Sequence, residues 1–232
     1  MSGAANTIDS LASFMKILKA DPVENDDIYA YLGGVDAVLL AARISDFKQI
    51  DAEIRPASLK GKEAKEWLSD KGNRKGLAFE KILETLLVPG GRCFSAWQRL
   101  QTETNELDFL VGLEPLSGLM PTLQAWGTHF ICECKSTEAF STVWVQKLSA
   151  VLNLHGAKVG LVLSKKRPSK KGNSARTHST IIKVALLGKT ILNFDLQDVE
   201  SCAAGTNFLL LVRNRYVEVQ TGINELRMIA GA

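Results

Sequence analysis

Three charged residues that could take part in catalysis lie within two largely apolar segments of the chain. Asp108 is in NELDFLV, and Glu133 and Lys135 are in THFICECKST. Side chains of a strand alternate between its faces, so Glu133 and Lys135 share a face if the second segment is a strand. Two carboxylates facing one space can bind magnesium, which prefers oxygen ligands and activates water beside a phosphate. A neighbouring lysine stabilises the developing charge, so these residues predict phosphodiester hydrolysis.

The strands that must position these residues can be predicted from the sequence. RCFSAWQRLQ, NELDFLVGL and WGTHFICECK have the length and composition of strands. The last two flank EPLSGLMPTLQA, whose prolines and glycine predict a loop and hence an antiparallel hairpin, with Asp108 across from Glu133. A helical segment ending near Gly156 and the apolar strand AKVGLVLS follow, which predicts a parallel crossover.

Helices are predicted on both sides of these strands. KGLAFEKILETLLVPGG has an apolar face and ends at Pro89-Gly90-Gly91. NFDLQDVESCAAG is also typical of a helix, whereas HSTIIKVALLG and NFLLLVRNRYVEVQTG fit a helix or a strand. The predicted fold class is therefore α/β, a mixed central sheet flanked by helices.

Residues 1–70 are predicted to form an N-terminal helical region, separate from a domain at 71–232. Leu11, Phe14, Met15 and Leu18 have the spacing of one helix face. A second helical run covers about residues 26–47, and the mixed charges of 48–75 indicate a linker or an exposed helix. The N-terminal region is expected to supply a dimer contact or a surface for target recognition.

These features together resemble the PD-(D/E)xK, or restriction-endonuclease-like, nucleases, and in particular the Mrr-like type. The motif is Asp108 followed by Glu133-Cys134-Lys135, in the order helix, strand with Asp, strand with ExK, helix, strand. The resemblance covers about residues 75–190. It departs from the family pattern at Leu107, where the family name has a proline.

The resemblance implies a role for each matching residue. Asp108 and Glu133, with the carbonyl of Cys134, would hold Mg²⁺, or Mn²⁺ in its place, and Lys135 would be catalytic. Glu80 would complete the metal site from the preceding helix, with Glu84 as the alternative. Gln146 matches a glutamine that many members carry after the lysine.

The resemblance also implies an activity and partners. It suggests an endonuclease that cuts DNA, a role in defence against foreign DNA, and a homodimer for double-strand cleavage. RNA and single-stranded substrates remain open. The rival hypothesis is a non-catalytic nucleic-acid-binding or assembly module on the same fold, in which the three charged residues are an ordinary salt-bridge ladder.

A run of basic side chains provides a candidate surface for nucleic acid. The net charge of +3 does not identify a nucleic-acid-binding protein by itself. The six basic residues between 165 and 176 have no acid among them, which predicts contact with phosphates, a solvated loop being the alternative. They are Lys165, Lys166, Arg167, Lys170, Lys171 and Arg176.

Several other functions are disfavoured. On a strand His129 would face away from Cys132 and Cys134, which favours buried cysteines over a zinc site. The chain contains no GxSxG and no GxxxxGK[ST] motif. It has no apolar run long enough for a bilayer and no signal-peptide pattern, so we expect a cytosolic protein without a membrane partner.

Overall fold

The computed structural model describes residues 29, 32–87, 93–102, 106–168 and 175–222, apart from the side chains of 137–139. Within these residues five strands form one sheet in the order β1-β2-β3-β4-β5. β2 is antiparallel to β1 and β3, whereas β3, β4 and β5 are parallel. The strands are Phe94–Gln101 (β1), Glu106–Leu113 (β2), His129–Ala139 (β3), Val159–Lys166 (β4) and Thr190–Phe194 (β5). The predicted α/β class and the mixed sheet flanked by helices are therefore confirmed.

Helices connect and cover the strands. In the described chain they are Ala37–Ala52 (α1), Gly61–Leu87 (α2), Pro121–Gln124 (α3), Thr142–Leu154 (α4), Ala175–Leu186 (α5), Leu196–Ala203 (α6) and Phe208–Thr221 (α7). The predicted β2–β3 hairpin is present, and its loop contains the 3₁₀ helix Pro115–Leu119 and α3, each beginning with a proline. None of the described helices is both long enough and apolar enough to cross a bilayer.

The crossover from β3 to β4 depends on two glycines. Gly156 follows the end of α4 with a φ of 66°, a backbone conformation that favours glycine. On β4, a Cβ at Gly160 would lie 3.0 Å from Leu148 of α4. The absence of a side chain at this position lets the helix pack closely on the parallel part of the sheet.

Helix α1 shares one apolar core with the sheet. Phe47 of α1 is buried against Phe79 of α2, with ring centroids 4.8 Å apart. Arg74 of α2 also forms a two-pronged ion pair with Glu53, just after α1, at 2.7 and 2.6 Å. Helix α2 runs through the boundary that the sequence suggested at residue 70, and the charged stretch 48–75 consists of the two helix ends and their connection. The helix predicted around Leu11 lies outside the described residues.

The C-terminal third contains the elements that the sequence left open. HSTIIKVALLG and NFLLLVRNRYVEVQTG both lie in helices, α5 and α7. Strand β5 was not predicted, because its five residues show no alternation: all of them are buried. Asn193 on this strand is buried with its amide donating to the carbonyl of Val162 at 3.1 Å, so a polar residue is satisfied within the sheet.

Candidate active site at the end of the β2–β3 ladder

Asp108 and Glu133 follow the same register just beyond the last pair of the β2–β3 ladder. That last pair is Phe109 with Cys132, so the next position places Asp108 opposite Glu133, as the sequence predicted. Here the Asp108 side chain replaces a backbone carbonyl as the hydrogen-bond acceptor, because its Oδ2 accepts from the backbone N–H of Cys134 at 2.6 Å. The ladder therefore ends in a way that fixes one carboxylate beside the other strand.

The environment of Asp108 opposes its negative charge. Burial, and after it the charge of Glu133, raise the pKa of Asp108 from 3.8 to about 6, and Glu80 acts in the same direction. The Cys134 N–H and the charge of Lys135 work against this rise. Burial is thus the main cost of the Asp108 charge and Glu133 adds to it, so a bound cation would offset part of that cost.

Glu133 and Lys135 lie on one face of β3, as alternation predicted. Their side chains form an ion pair with Nζ and Oε2 2.7 Å apart, and they are 15% and 16% exposed. The Lys135 ammonium also lies over the Trp144 ring, 4.3 Å from its centroid. These contacts hold the lysine in one place beside the two carboxylates.

Trp144 and Lys147 of α4 were not identified from the sequence. Lys147 also faces the Trp144 ring, at 4.8 Å, and both residues line a shallow pocket that Glu133 and Lys135 share. The signal available in the sequence was an aromatic residue in the first turn of the helix that follows the ExK strand. Such a residue also suits a helix core, so the pattern alone did not distinguish it.

Glu80 and Gln146 have different positions. Glu80 of α2 is 12% exposed and influences Asp108, but its carboxylate is held by Arg99 of β1 at 2.9 Å. Glu84, its alternative, is exposed. Gln146 is exposed and does not line the pocket beside Lys135. The structure therefore brings Asp108, Glu133 and Lys135 together, places Glu80 nearby with a partner, and leaves Gln146 apart.

The residues present fit a magnesium ion in part. No group of three or more His, Cys, Asp or Glu side chains converges as a metal cage within the described ranges. Magnesium ordinarily uses only one or two protein carboxylates and keeps several waters, and the paired Asp108 and Glu133 meet that requirement. The register that places Asp108 opposite Glu133 is the observation that favours a cation here.

Comparisons with protein-family models, curated proteins and solved structures find no match to this chain.

The run of six basic residues begins on β4, whose last two residues are Lys165 and Lys166. Lys165 pairs with Asp51 at the end of α1 at 2.7 Å, and Arg167 pairs with Asp195 at 3.2 Å. These two cations therefore have acidic partners elsewhere in the fold. Lys166 and Arg176 are exposed, whereas Lys170 and Lys171 lie outside the described residues.

Proposed function

We propose that the chain is a magnesium-dependent nuclease of the restriction-endonuclease-like type. The observation that carries the proposal is the pairing of Asp108 and Glu133 where the β2–β3 ladder ends, with Lys135 held beside them. The strand order supports the resemblance, because a helix and the Asp strand precede the ExK strand, and a helix and a parallel strand follow it.

In this mechanism Asp108 and Glu133 would bind Mg²⁺, with the Cys134 carbonyl as a further oxygen ligand. When bound, the ion supplies charge neutralisation at the phosphate and lowers the pKa of a coordinated water. Asp108 must be deprotonated to bind it, which its raised pKa still permits at neutral pH. The hydrogen bond from the Cys134 N–H keeps its carboxylate oriented.

Lys135 would stabilise the negative charge that develops on the phosphate. Its ammonium is fixed by Glu133 and by the Trp144 ring, so little reorganisation is needed during the reaction. Glu133, when it holds the ion, would pair less strongly with Lys135. The lysine would then direct a hydrogen-bond donor toward the substrate.

DNA is the proposed substrate, with RNA as the alternative to be tested. The exposed Lys166 and Arg176 would contact the backbone of the nucleic acid, and this contact would weaken with salt. Cleavage of both strands would require two sites and therefore favours a homodimer. Restriction of foreign DNA is the role that such an activity would serve.

A binding module without catalysis is the second candidate function. The observation that favours it is Glu80, whose oxygens are occupied by Arg99 rather than available to a metal. In that case the chain would bind nucleic acid and leave it intact.

A cleavage assay distinguishes the two candidates. The protein is incubated with circular and linear DNA, single- and double-stranded, and with RNA, in Mg²⁺, Mn²⁺ or chelator. Asp108→Ala and Lys135→Ala are compared with Lys65→Ala, which removes an exposed lysine from the chain's other ExK triplet, Glu63-Ala64-Lys65. The nuclease is supported if the wild type and Lys65→Ala cut in a metal-dependent manner whereas Asp108→Ala and Lys135→Ala do not. Binding without cutting of any substrate supports the module.

A further inference from the structure

Arg99 occupies both carboxylate oxygens of Glu80. Its Nε donates to Oε2 at 2.9 Å and its Nη2 donates to Oε1 at 3.2 Å, while Gln98 adds a bond to Oε2 at 3.1 Å. The Glu80 side chain is 12% exposed, whereas that of Arg99 is 53% exposed. A carboxylate beside the proposed metal site is thus neutralised by a cation that solvent can reach.

The backbone of Arg99 departs from the strand that carries it. Its φ is 52°, and it is the only non-glycine residue with a positive φ in the described chain. On either side the ladder is regular, with Gln98 opposite Phe109 and Leu100 opposite Leu107. Such a conformation is uncommon for a residue with a side chain, and it is concentrated at functional sites.

The register aligns this arginine with the candidate active site. The position opposite Arg99 on β2 is Asp108, although the two do not pair in the ladder. The position opposite Asp108 on β3 is Glu133. Arg99, Asp108 and Glu133 therefore form one row across three neighbouring strands, and Glu80 reaches this row from α2.

We propose that Arg99 is an exchangeable counter-ion of Glu80. Without metal, Arg99 holds the Glu80 carboxylate. When a divalent cation binds Glu80, Arg99 is released and binds a phosphate of the nucleic acid. The exchange follows because the guanidinium and a cation compete for the same two oxygens. A released guanidinium presents a planar fork of donors that matches phosphate geometry. This inference rests on the nuclease function proposed above.

Calorimetry with MgCl₂ or MnCl₂, without nucleic acid, tests the competition. Arg99→Ala should bind the metal roughly fourfold more tightly than the wild type, since an exposed ion pair no longer has to be broken. Arg99→Gly, which accepts the positive φ without strain, should show the same gain. Glu80→Gln should weaken binding, and in Glu80→Gln/Arg99→Ala the gain should vanish. Unchanged or weaker binding in folded Arg99→Ala overturns the proposal.

Binding of a fluorescent oligonucleotide tests the second half of the exchange. The Lys135→Ala background prevents cleavage during the measurement. Adding Arg99→Ala should weaken binding about tenfold with Mg²⁺, the loss expected for a charge-assisted hydrogen bond. With chelator the same change should have almost no effect, because Arg99 is then held by Glu80. An equal loss under both conditions would show a fixed phosphate contact and overturn the exchange.

The two proposals can fail separately. If no chain cleaves DNA or RNA but both Arg99 effects are observed, the nuclease is wrong and the exchange stands. If the wild type cleaves and neither Arg99 effect is seen, the nuclease stands and the exchange is wrong.

Discussion

Replacing Asp108 by asparagine should stabilise the protein at neutral pH while abolishing cleavage. Burial and the charge of Glu133 raise the pKa of Asp108 from 3.8 to about 6 in the folded chain. In the unfolded chain the carboxyl is hydrated and its pKa returns to the ordinary value. Between these two values the folded state binds more protons than the unfolded state. The free energy of unfolding of the wild type therefore falls as pH rises through this window.

The size of this effect follows from the two pKa values. The difference between 3.8 and about 6 corresponds to roughly 3 kcal/mol at 1.36 kcal/mol per pH unit. Asparagine keeps an oxygen that accepts the Cys134 N–H, and the pKa of about 6 already includes the strength that this hydrogen bond loses when its acceptor is neutral. We expect Asp108→Asn to raise the free energy of unfolding by about 3 kcal/mol near pH 8 and to give almost no gain near pH 4.

Urea unfolding in chelator, followed by circular dichroism across this pH range, measures the effect. Glu84→Gln is the matched control, since it neutralises an exposed carboxylate on α2. Added Mg²⁺ should stabilise the wild type more than Asp108→Asn, because the variant lacks a ligand. A gain that does not depend on pH, or a loss of stability near pH 8, would refute the reasoning that burial and the charge of Glu133 oppose ionisation of Asp108.

Outcomes are also expected for five other variants. Phe47→Ala should lower the free energy of unfolding by about 4 kcal/mol in urea, because this buried ring packs on α2. Lys135→Arg should reduce the cleavage rate about a hundredfold, since a fork of donors does not replace a point charge. Trp144→Leu should lower that rate about tenfold without unfolding the chain, because the ring positions Lys135. Lys165→Ala should cost about 1 kcal/mol of stability, whereas Arg176→Ala should only reduce the salt dependence of DNA binding, by about one unit of slope.

Each outcome has a contrary result. An unchanged urea midpoint in the Phe47 variant would show that the packing of α1 on α2 does not contribute to the stability of the core. Full activity in the Lys135 or Trp144 variant would remove those residues from the site. A Lys165 variant with normal stability but a weaker salt dependence of DNA binding would show that this lysine binds phosphate and that its ion pair with Asp51 does not stabilise the fold.

The sequence predicted the hairpin and the pairing of Asp108 with Glu133 because local signals determine both. Loop prolines mark the turn, and alternation assigns each side chain to a face. Strand β5 has neither signal, since it is short and buried on both faces. The Arg99–Glu80 pair could not be predicted either, because it joins β1 to α2 across the fold and no sequence signal marks the positive φ of Arg99. The pairing of Lys165 with Asp51 joins distant segments that only the fold brings together.

Two consecutive residues of α2 connect the core to the site. Phe79 packs on α1, and the next residue, Glu80, reaches Arg99. Adjacent residues of a helix differ by about 100° around its axis, so a rotation of α2 that moved one would move the other equally. Helix α2 therefore couples the apolar contact of Phe79 with Phe47 to the ion pair of Glu80 with Arg99. The packing of α1 on α2 therefore helps to set the direction in which Glu80 points, so α1 contributes to the geometry of the site through α2.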